Sequence, residues 1–126
     1  MWLVGAEAIR PPNPQTGGEK VVKLTVLYGH PADPGAFETY YVNTHVPLAL
    51  KIPTLAHFEA AKVLGTPEGS TAPYFYVAEL WFASKEQLQA SMGSAEGREA
   101  AADLANFATG GTTILMSDIT AEQSHV

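Results

Sequence analysis

Histidine is the residue type in this chain best suited to proton transfer near neutral pH, and His45 is the strongest candidate of its four histidines. It follows the adjacent pair Tyr40 and Tyr41 in a segment predicted to be helical. Because residues four apart on a helix face the same way, Tyr41 and His45 can touch and act on one ligand. The residue types leave a structural alternative open, in which His45 lies at the C-terminal end of its helix and hydrogen-bonds the free carbonyl groups there.

The other histidines are weaker candidates. His30 lies in a Gly/Pro-rich loop, His125 lies next to the C-terminus, and His57 falls in a predicted strand where a local hydrogen bond is its expected role. The histidines do not have metal-ligand spacing and the chain has no cysteine, so we expect no metal site and no disulfide. A nucleophile elbow, a phosphate-binding loop and a dinucleotide-binding glycine pattern are also missing, so no cofactor is expected.

Composition excludes several classes of partner. The 126 residues are 46% hydrophobic and 16% charged, which is typical of a globular protein. Seven Lys and Arg against thirteen Asp and Glu give a net charge of −6, which opposes binding to nucleic acid or to an anionic membrane. No apolar run approaches the roughly 20 residues that span a bilayer, so a cytoplasmic location is expected.

One domain is predicted over residues 20–121, between a Pro/Gly-rich arm at 1–19 and a tail at 122–126. Alternation of apolar residues predicts strands at 21–28, 54–64, 74–82 and 112–120. Helices are predicted from Pro34 to about Thr44 with Asp33 as the N-cap, from the capping box at 84–87, and through 100–108. Pro47 is expected to end or kink the first helix near His45. The acidic residues of the last helix, Glu96, Glu99 and Asp103, are expected to form a solvated face.

The order β-α-β-β-α-β predicts an α+β, ferredoxin-like fold with a four-stranded antiparallel sheet and helices on one side. In the strand at 74–82, both faces are largely apolar. Since the helices cover only one face of such a sheet, the other face is expected to pack against a second copy of the chain. The sequence therefore predicts a homodimer.

The segment Phe37–Lys51 carries an aromatic pair, then a histidine, then Pro-Leu and a lysine, and it resembles the signature helix of the EthD family. Further matches occur at 78–82, 94–97 and 102–107, in the same order along the chain. The resemblance implies a dimeric α+β barrel, with a pocket between the sheet and the helices of each subunit. It also implies a functional role for His45, and pocket or scaffold roles for Tyr40, Tyr41 and Lys51.

The resemblance leads to a hypothesis about function. The protein would act on a hydrophobic, aromatic or lactone-like metabolite, with His45 as the general acid/base and Tyr41 placing an oxygen of the substrate. The candidate walls of the pocket are Tyr28, Phe75, Trp81 and Phe82, although strand alternation prevents all of them from facing one pocket. A cofactor-independent isomerase, lyase or monooxygenase fits this hypothesis. The alternatives are a ligand-binding or accessory dimer without chemistry and a haem-handling relative.

Overall fold

The computed structural model describes residues 21–122, so most of the predicted arm and tail lies outside the described residues. Four strands form one antiparallel sheet in the order β2-β3-β1-β4. They are β1 (Val22–Tyr28), β2 (His57–Lys62), β3 (Tyr76–Phe82) and β4 (Thr112–Asp118). With helices between β1 and β2 and between β3 and β4, the order confirms the α+β, ferredoxin-like fold.

Three of the four α-helices between residues 21 and 122 begin at a capping side chain, and the exception is the one at Val46–Ala49. The four helices are α1 (Pro34–Tyr40), α2 (Val46–Ala49), α3 (Lys85–Met92) and α4 (Ala95–Asp103), with a 3₁₀ turn at Leu104–Asn106. The side chain of Asp33 accepts a hydrogen bond from the N–H of Ala36 at 3.1 Å, and Ser84 accepts one from Gln87 at the same distance. Both caps were predicted from the sequence. No helix within residues 21–122 has the length and hydropathy needed to cross a bilayer.

The regular α-helix is interrupted near His45, where Pro47 was expected to end or kink it, but the helical segment then continues to Ala49. Between α1 and α2 the chain forms a π-helical turn, Tyr41–His45, in which the N–H of Val46 donates to the carbonyl of Tyr41, five residues earlier. A regular α-helix would bring the Pro47 ring against the carbonyl four residues earlier. The wider turn accommodates the proline, and the helix passes through it.

The π turn also decides which side chains face the sheet. On a regular α-helix, residues spaced by four drift round the axis by about 40° per step. A π turn, in which an N–H bonds the carbonyl five residues earlier, contains more residues per turn than an α-helix. Residues four apart therefore rotate less around the axis across this turn. Phe37, Tyr41, His45 and Ala49 are accordingly all buried on one face.

The core lies between the helices and one face of the sheet. Leu24, Val26 and Tyr28 of β1 and Leu80 and Phe82 of β3 are all less than 9% exposed. The opposite face, which we call the outer face, carries the Lys23–Glu79 ion pair at 3.1 Å and, from β4, the side chain of Leu115. Helices therefore cover the face that carries the core over β1 and β3, whereas Ile114 and Met116 of β4, on the same face, are exposed.

Candidate functional site

The ring of His45 is held between the helical layer and the sheet. Its Nδ1 lies at hydrogen-bond distance from Oδ2 of Asp103, 2.9 Å away, and the side chains of both residues are buried. The His45 ring also contacts Phe107, with ring centroids 4.7 Å apart, and stacks on Tyr41 at 5.6 Å. His45 precedes the end of its helix by four residues and bonds a carboxylate, so it is not a C-terminal cap.

Asp103, the last residue of α4, is the buried centre of a hydrogen-bond network that extends to the exposed Asn106. Its Oδ1 accepts from the Tyr40 hydroxyl at 2.5 Å and from Nδ2 of Asn106 at 2.9 Å. Burial by itself would raise the pKa of Asp103, but the hydrogen bonds from Tyr40, Asn106 and His45 together lower it below its usual value. The carboxylate is therefore ionised at neutral pH and acts only as an acceptor.

A cleft opens beside His45, between the helices and the sheet. It encloses about 440 Å³ of empty space including its open mouth, of which about 50 Å³ is wide enough for the centre of a water molecule. Three side chains with polar atoms line it, namely Tyr28, Tyr41 and His45. The other lining residues are apolar: Leu24, Val26, Ala49, Ile52, Phe58, Ala78, Leu80, Met92, Ala100, Ala101, Leu104 and Ile114.

The Tyr41 hydroxyl is buried and has no hydrogen bond of regular geometry. Tyr41 is 1% exposed, and no residue in the described part of the chain lies in good hydrogen-bonding geometry to its Oη. Burial raises the pKa of Tyr41, and the interaction with the Tyr28 hydroxyl offsets only part of this rise; burial together with Tyr41 raises the pKa of Tyr28. Both phenols are therefore neutral at physiological pH, and Tyr41 can donate a hydrogen bond to a ligand oxygen.

The structure brings together three of the eight site residues proposed from the sequence: His45, Tyr41 and Tyr28 line the cleft. Tyr40 lies behind it and donates to Asp103. Phe75 and Phe82 are packed in the core, Trp81 lies on the outer face with Val21 and Ile119, and Lys51 is exposed beyond α2. None of these five residues lines the cleft. Trp81 cannot line it because successive side chains of a strand point to opposite faces of the sheet, and Leu80 and Phe82 point to the core.

Sequence reasoning missed Asp103, and the solvated acidic face expected for it is wrong. Asp103 is 7% exposed, whereas Glu96 and Glu99 are exposed as expected. The signal was present in the sequence, because Asp103 lies on the same helical stripe as Ala100 and Phe107, three residues after one and four before the other. A carboxylate within an apolar stripe predicts a buried partner. As for metals, residues 21–122 contain no group of three His, Asp or Glu side chains arranged to hold one.

Comparisons with known proteins place this geometry in a family. A family model described as the EthD domain matches residues 29–111. An uncharacterized 11.0 kDa protein from the thcB-thcC intergenic region of Rhodococcus erythropolis is 43% identical over 96 residues, which cover 76% of this chain and 92% of that protein. The crystal structure of an EthD-family protein from Bacillus halodurans is 33% identical with a TM-score of 0.75, and the match covers 79% of this chain and 99% of that one.

More distant structures share the fold alone. A hydroxynitrile lyase from Passiflora edulis is 15% identical with a TM-score of 0.68, over 83% of this chain and 98% of that enzyme. A ferredoxin-like protein of unknown function from Thermobifida fusca, described as dimeric, is 14% identical with a TM-score of 0.63, over 80% of this chain and 92% of that one. The same scaffold thus occurs in an enzyme and in a dimer of unknown function.

Proposed function

This chain belongs to the EthD family, and from that premise we propose that it binds a small, uncharged, aromatic or lactone-like molecule and uses His45 as an acid/base on it. One observation carries the proposal. An imidazole and an unpartnered phenol hydroxyl lie side by side, with ring centroids 5.6 Å apart, in a cleft that is otherwise apolar. Buried polar groups without partners are rare in folded proteins and are typical of binding sites.

The two groups suit proton transfer next to a carbonyl. Nε2 of His45 can take a proton from the carbon beside the carbonyl group, while the Tyr41 hydroxyl donates a hydrogen bond to the carbonyl oxygen as negative charge develops on it. Return of the proton to the same or to another atom completes an exchange or an isomerisation. The proton that His45 removes is returned to the substrate and no electrons are gained or lost, so the reaction needs no cofactor.

The lining favours an uncharged substrate. No Lys, Arg, Asp or Glu among the described residues lines the cleft. A carboxylate or phosphate entering it would lose its water shell without gaining a counter-charge, which is costly. A neutral ketone or lactone needs only one hydrogen-bond donor for its oxygen, and Tyr41 supplies it.

A binding protein without chemistry is the second candidate, because hydrogen bonds with Tyr41 and His45 could hold a neutral ligand in the apolar cleft without any reaction. Space of about 50 Å³ for the centres of water molecules holds a few waters, whereas a bicyclic substrate would require side chains to move. A hydroxynitrile lyase with this fold shows that the scaffold is compatible with catalysis, but at 15% identity it supports nothing finer.

Proton exchange in D2O tests the proposal without knowledge of the natural substrate. Acetophenone and γ-butyrolactone serve as neutral probes, and NMR follows the loss of the protons beside each carbonyl. We expect wild-type protein to accelerate the exchange and His45→Gln to lose at least about a hundredfold of that acceleration, the contribution typical of a general base. His30→Gln is the matched control, because His30 is exposed and bonds only the carbonyl of Ala72.

The outcomes separate the two candidates. Full exchange by His45→Gln would remove the acid/base role. Binding of the probes without exchange, seen as ligand-induced shifts of protein NMR signals, would favour the binding protein. Benzoate, which resembles acetophenone in size but is anionic, should bind at least about tenfold more weakly, a difference of ~1.4 kcal/mol. Equal binding of benzoate would contradict the neutral substrate class.

A further inference from the structure

We infer that Asp103 is the positioning residue of this site: it holds the proton of His45 on Nδ1, so that Nε2 meets a ligand as a base. The inference rests on the proposed role of His45 and deepens it. It concerns the protonation pattern of the ring, which can be measured in the protein without any substrate.

The hydrogen bond itself carries the inference. Nδ1 of His45 lies 2.9 Å from Oδ2 of Asp103, and the exposed fractions of the two side chains are 8% and 7%. An ionised carboxylate has no proton to give, so the hydrogen in this bond belongs to Nδ1. In a neutral imidazole only one nitrogen carries a proton, and Nε2 is then a free acceptor.

The carboxylate is fixed in place by groups on both sides. Tyr40 and Asn106 both donate to Oδ1, which leaves Oδ2 for His45. Tyr40 lies on α1 and Asn106 follows α4, so the network ties together the two helices that carry His45 and Asp103. Rotation of the carboxylate would break three hydrogen bonds at once, so the His45 ring has one preferred orientation.

The lining of the cleft shows which edge of the ring a ligand meets. His45 lines the cleft, whereas Asp103 does not. The Nδ1 edge, which is bound to Asp103, is therefore turned away from the cleft. Nε2 forms no hydrogen bond to the described residues and belongs to the opposite edge of the ring. A ligand in the cleft therefore meets Nε2, the nitrogen of His45 that stays unprotonated because the proton lies on Nδ1.

Nitrogen-15 NMR of the histidine rings in the full-length protein tests the inference directly. In the neutral ring of His45, we expect Nδ1 to show the shift of a protonated ring nitrogen and Nε2 that of a bare one. This measurement needs no variant. Protonation of Nε2 with a bare Nδ1, or two protonated nitrogens up to pH 9, would overturn the inference.

Asp103→Asn adds a second test, with Glu99→Gln as its control. The amide can turn either its oxygen or its NH2 group toward the ring, so we expect the two nitrogen shifts of His45 to move toward an average of the two neutral forms. Glu99 is exposed on the same helix and should leave the spectrum unchanged when its charge is removed. An unchanged His45 spectrum in a folded Asp103→Asn protein would contradict the inference.

Kinetics distinguish this inference from the proposed function. If wild-type protein exchanges the protons of acetophenone, Asp103→Asn should reduce kcat at least about tenfold, part of the general-base contribution, with little change in KM. A protein that shows the expected ring protonation but no exchange would refute the proposed catalysis and leave the positioning role standing. Exchange by a protein with Nε2 protonated would refute the positioning role alone.

Discussion

Tyr40 and Tyr41 are adjacent in the chain, yet their hydroxyl groups have opposite surroundings. The Tyr40 hydroxyl donates to the Asp103 carboxylate, whereas the Tyr41 hydroxyl is buried without a partner. A hydrogen bond to a charged group contributes roughly 1.5–3 kcal/mol to stability, and a buried hydroxyl without a partner costs about 1–3 kcal/mol. Removing each oxygen should therefore change stability in opposite directions.

We predict that Tyr41→Phe raises the free energy of unfolding by about 1 kcal/mol, because it removes the unpaired hydroxyl. Tyr40→Phe should lower it, because it removes a hydrogen bond to the Asp103 carboxylate. Urea unfolding of the two variants measures both changes. In the exchange assay, Tyr41→Phe should be slower than wild type despite its greater stability. A loss of stability in Tyr41→Phe would show that the hydroxyl has a partner.

The lowered pKa of Asp103 makes stability depend on pH. Since the folded protein holds this pKa below the ordinary value of about 3.9, the ionised carboxylate stabilises the fold above that pH. The contribution is lost as the pH falls from there through the folded pKa. We predict that Asp103→Asn is less stable than wild type at pH 7 and that the difference narrows below about pH 4. Urea unfolding from pH 7 to pH 3 measures it, and Glu99→Gln should stay parallel to wild type.

Residue patterns predicted one contact of this site and missed the other for a physical reason. Tyr41 and His45 lie four apart on one helix, so helix geometry alone brings them together. His45 and Asp103 lie 58 positions apart, on different helices. Their contact depends on how α4 packs against the first helical segment, which local periodicity does not determine. The position of Asp103 on the apolar stripe of α4 could have indicated that its carboxylate has a hydrogen-bonding partner, but not which residue that partner is.

At the scale of elements, beginnings were easier to predict than ends. Asp33 and Ser84 cap their helices because side-chain oxygens bond nearby N–H groups, a local rule that sequence shows directly. The predicted end of the first helical segment was based on Pro47. Proline disrupts a helix because its ring clashes with the carbonyl four residues earlier, which assumes regular α-helical hydrogen bonds. The π turn replaces those bonds at Tyr41–His45, so the regular α-helix is interrupted near His45, as the proline rule allows, but the helical segment does not end there.

The corner between α3 and α4 sets the position of Asp103, and Gly97 allows it. A methyl group at Gly97 would overlap the carbonyl oxygen of Ser91 and lie 2.7 Å from that of Met92, so the two helices would have to separate. We predict that Gly97→Ala lowers the free energy of unfolding by about 1–3 kcal/mol, the usual cost of overpacking. The variant should also disturb the His45 ring nitrogen shifts, because it displaces α4.

Gly35→Ala is the control for this prediction. Gly35 lies in α1, and the nearest atom to a methyl group there is Oδ1 of Asp33 at 3.7 Å, an ordinary contact. Alanine also restricts the unfolded chain, so Gly35→Ala should raise the free energy of unfolding by roughly 0.4–1 kcal/mol. Urea denaturation of both variants measures the two changes in the free energy of unfolding. Equal decreases in the two variants would show that a general effect of replacing glycine, not the contact between α3 and α4, is responsible.

At the scale of the whole molecule, the described helices cover one face of the sheet over β1 and β3 and leave the other face open. Thr25, Leu27 and Val77 on the outer face are half-buried, and Leu115 of β4 is 49% exposed. An ion pair, Lys23–Glu79, crosses the same face. Alternating apolar residues on an uncovered sheet face are typical of an interface between identical subunits. The homodimer predicted from the strand at 74–82 is consistent with this face.

We predict that the protein sediments at twice its chain mass of 13.4 kDa and that Leu115→Glu shifts it toward the monomer. In a twofold interface each substitution occurs twice, so two carboxylates would be buried near the same contact, and the dissociation constant should rise at least about a hundredfold. Leu64→Glu is the control, because Leu64 is 97% exposed beyond β2 and the added charge is the same. Sedimentation over a range of concentrations measures all three proteins. A wild-type monomer at every concentration would contradict the dimer, and equal weakening by both variants would place the interface elsewhere than on the outer face.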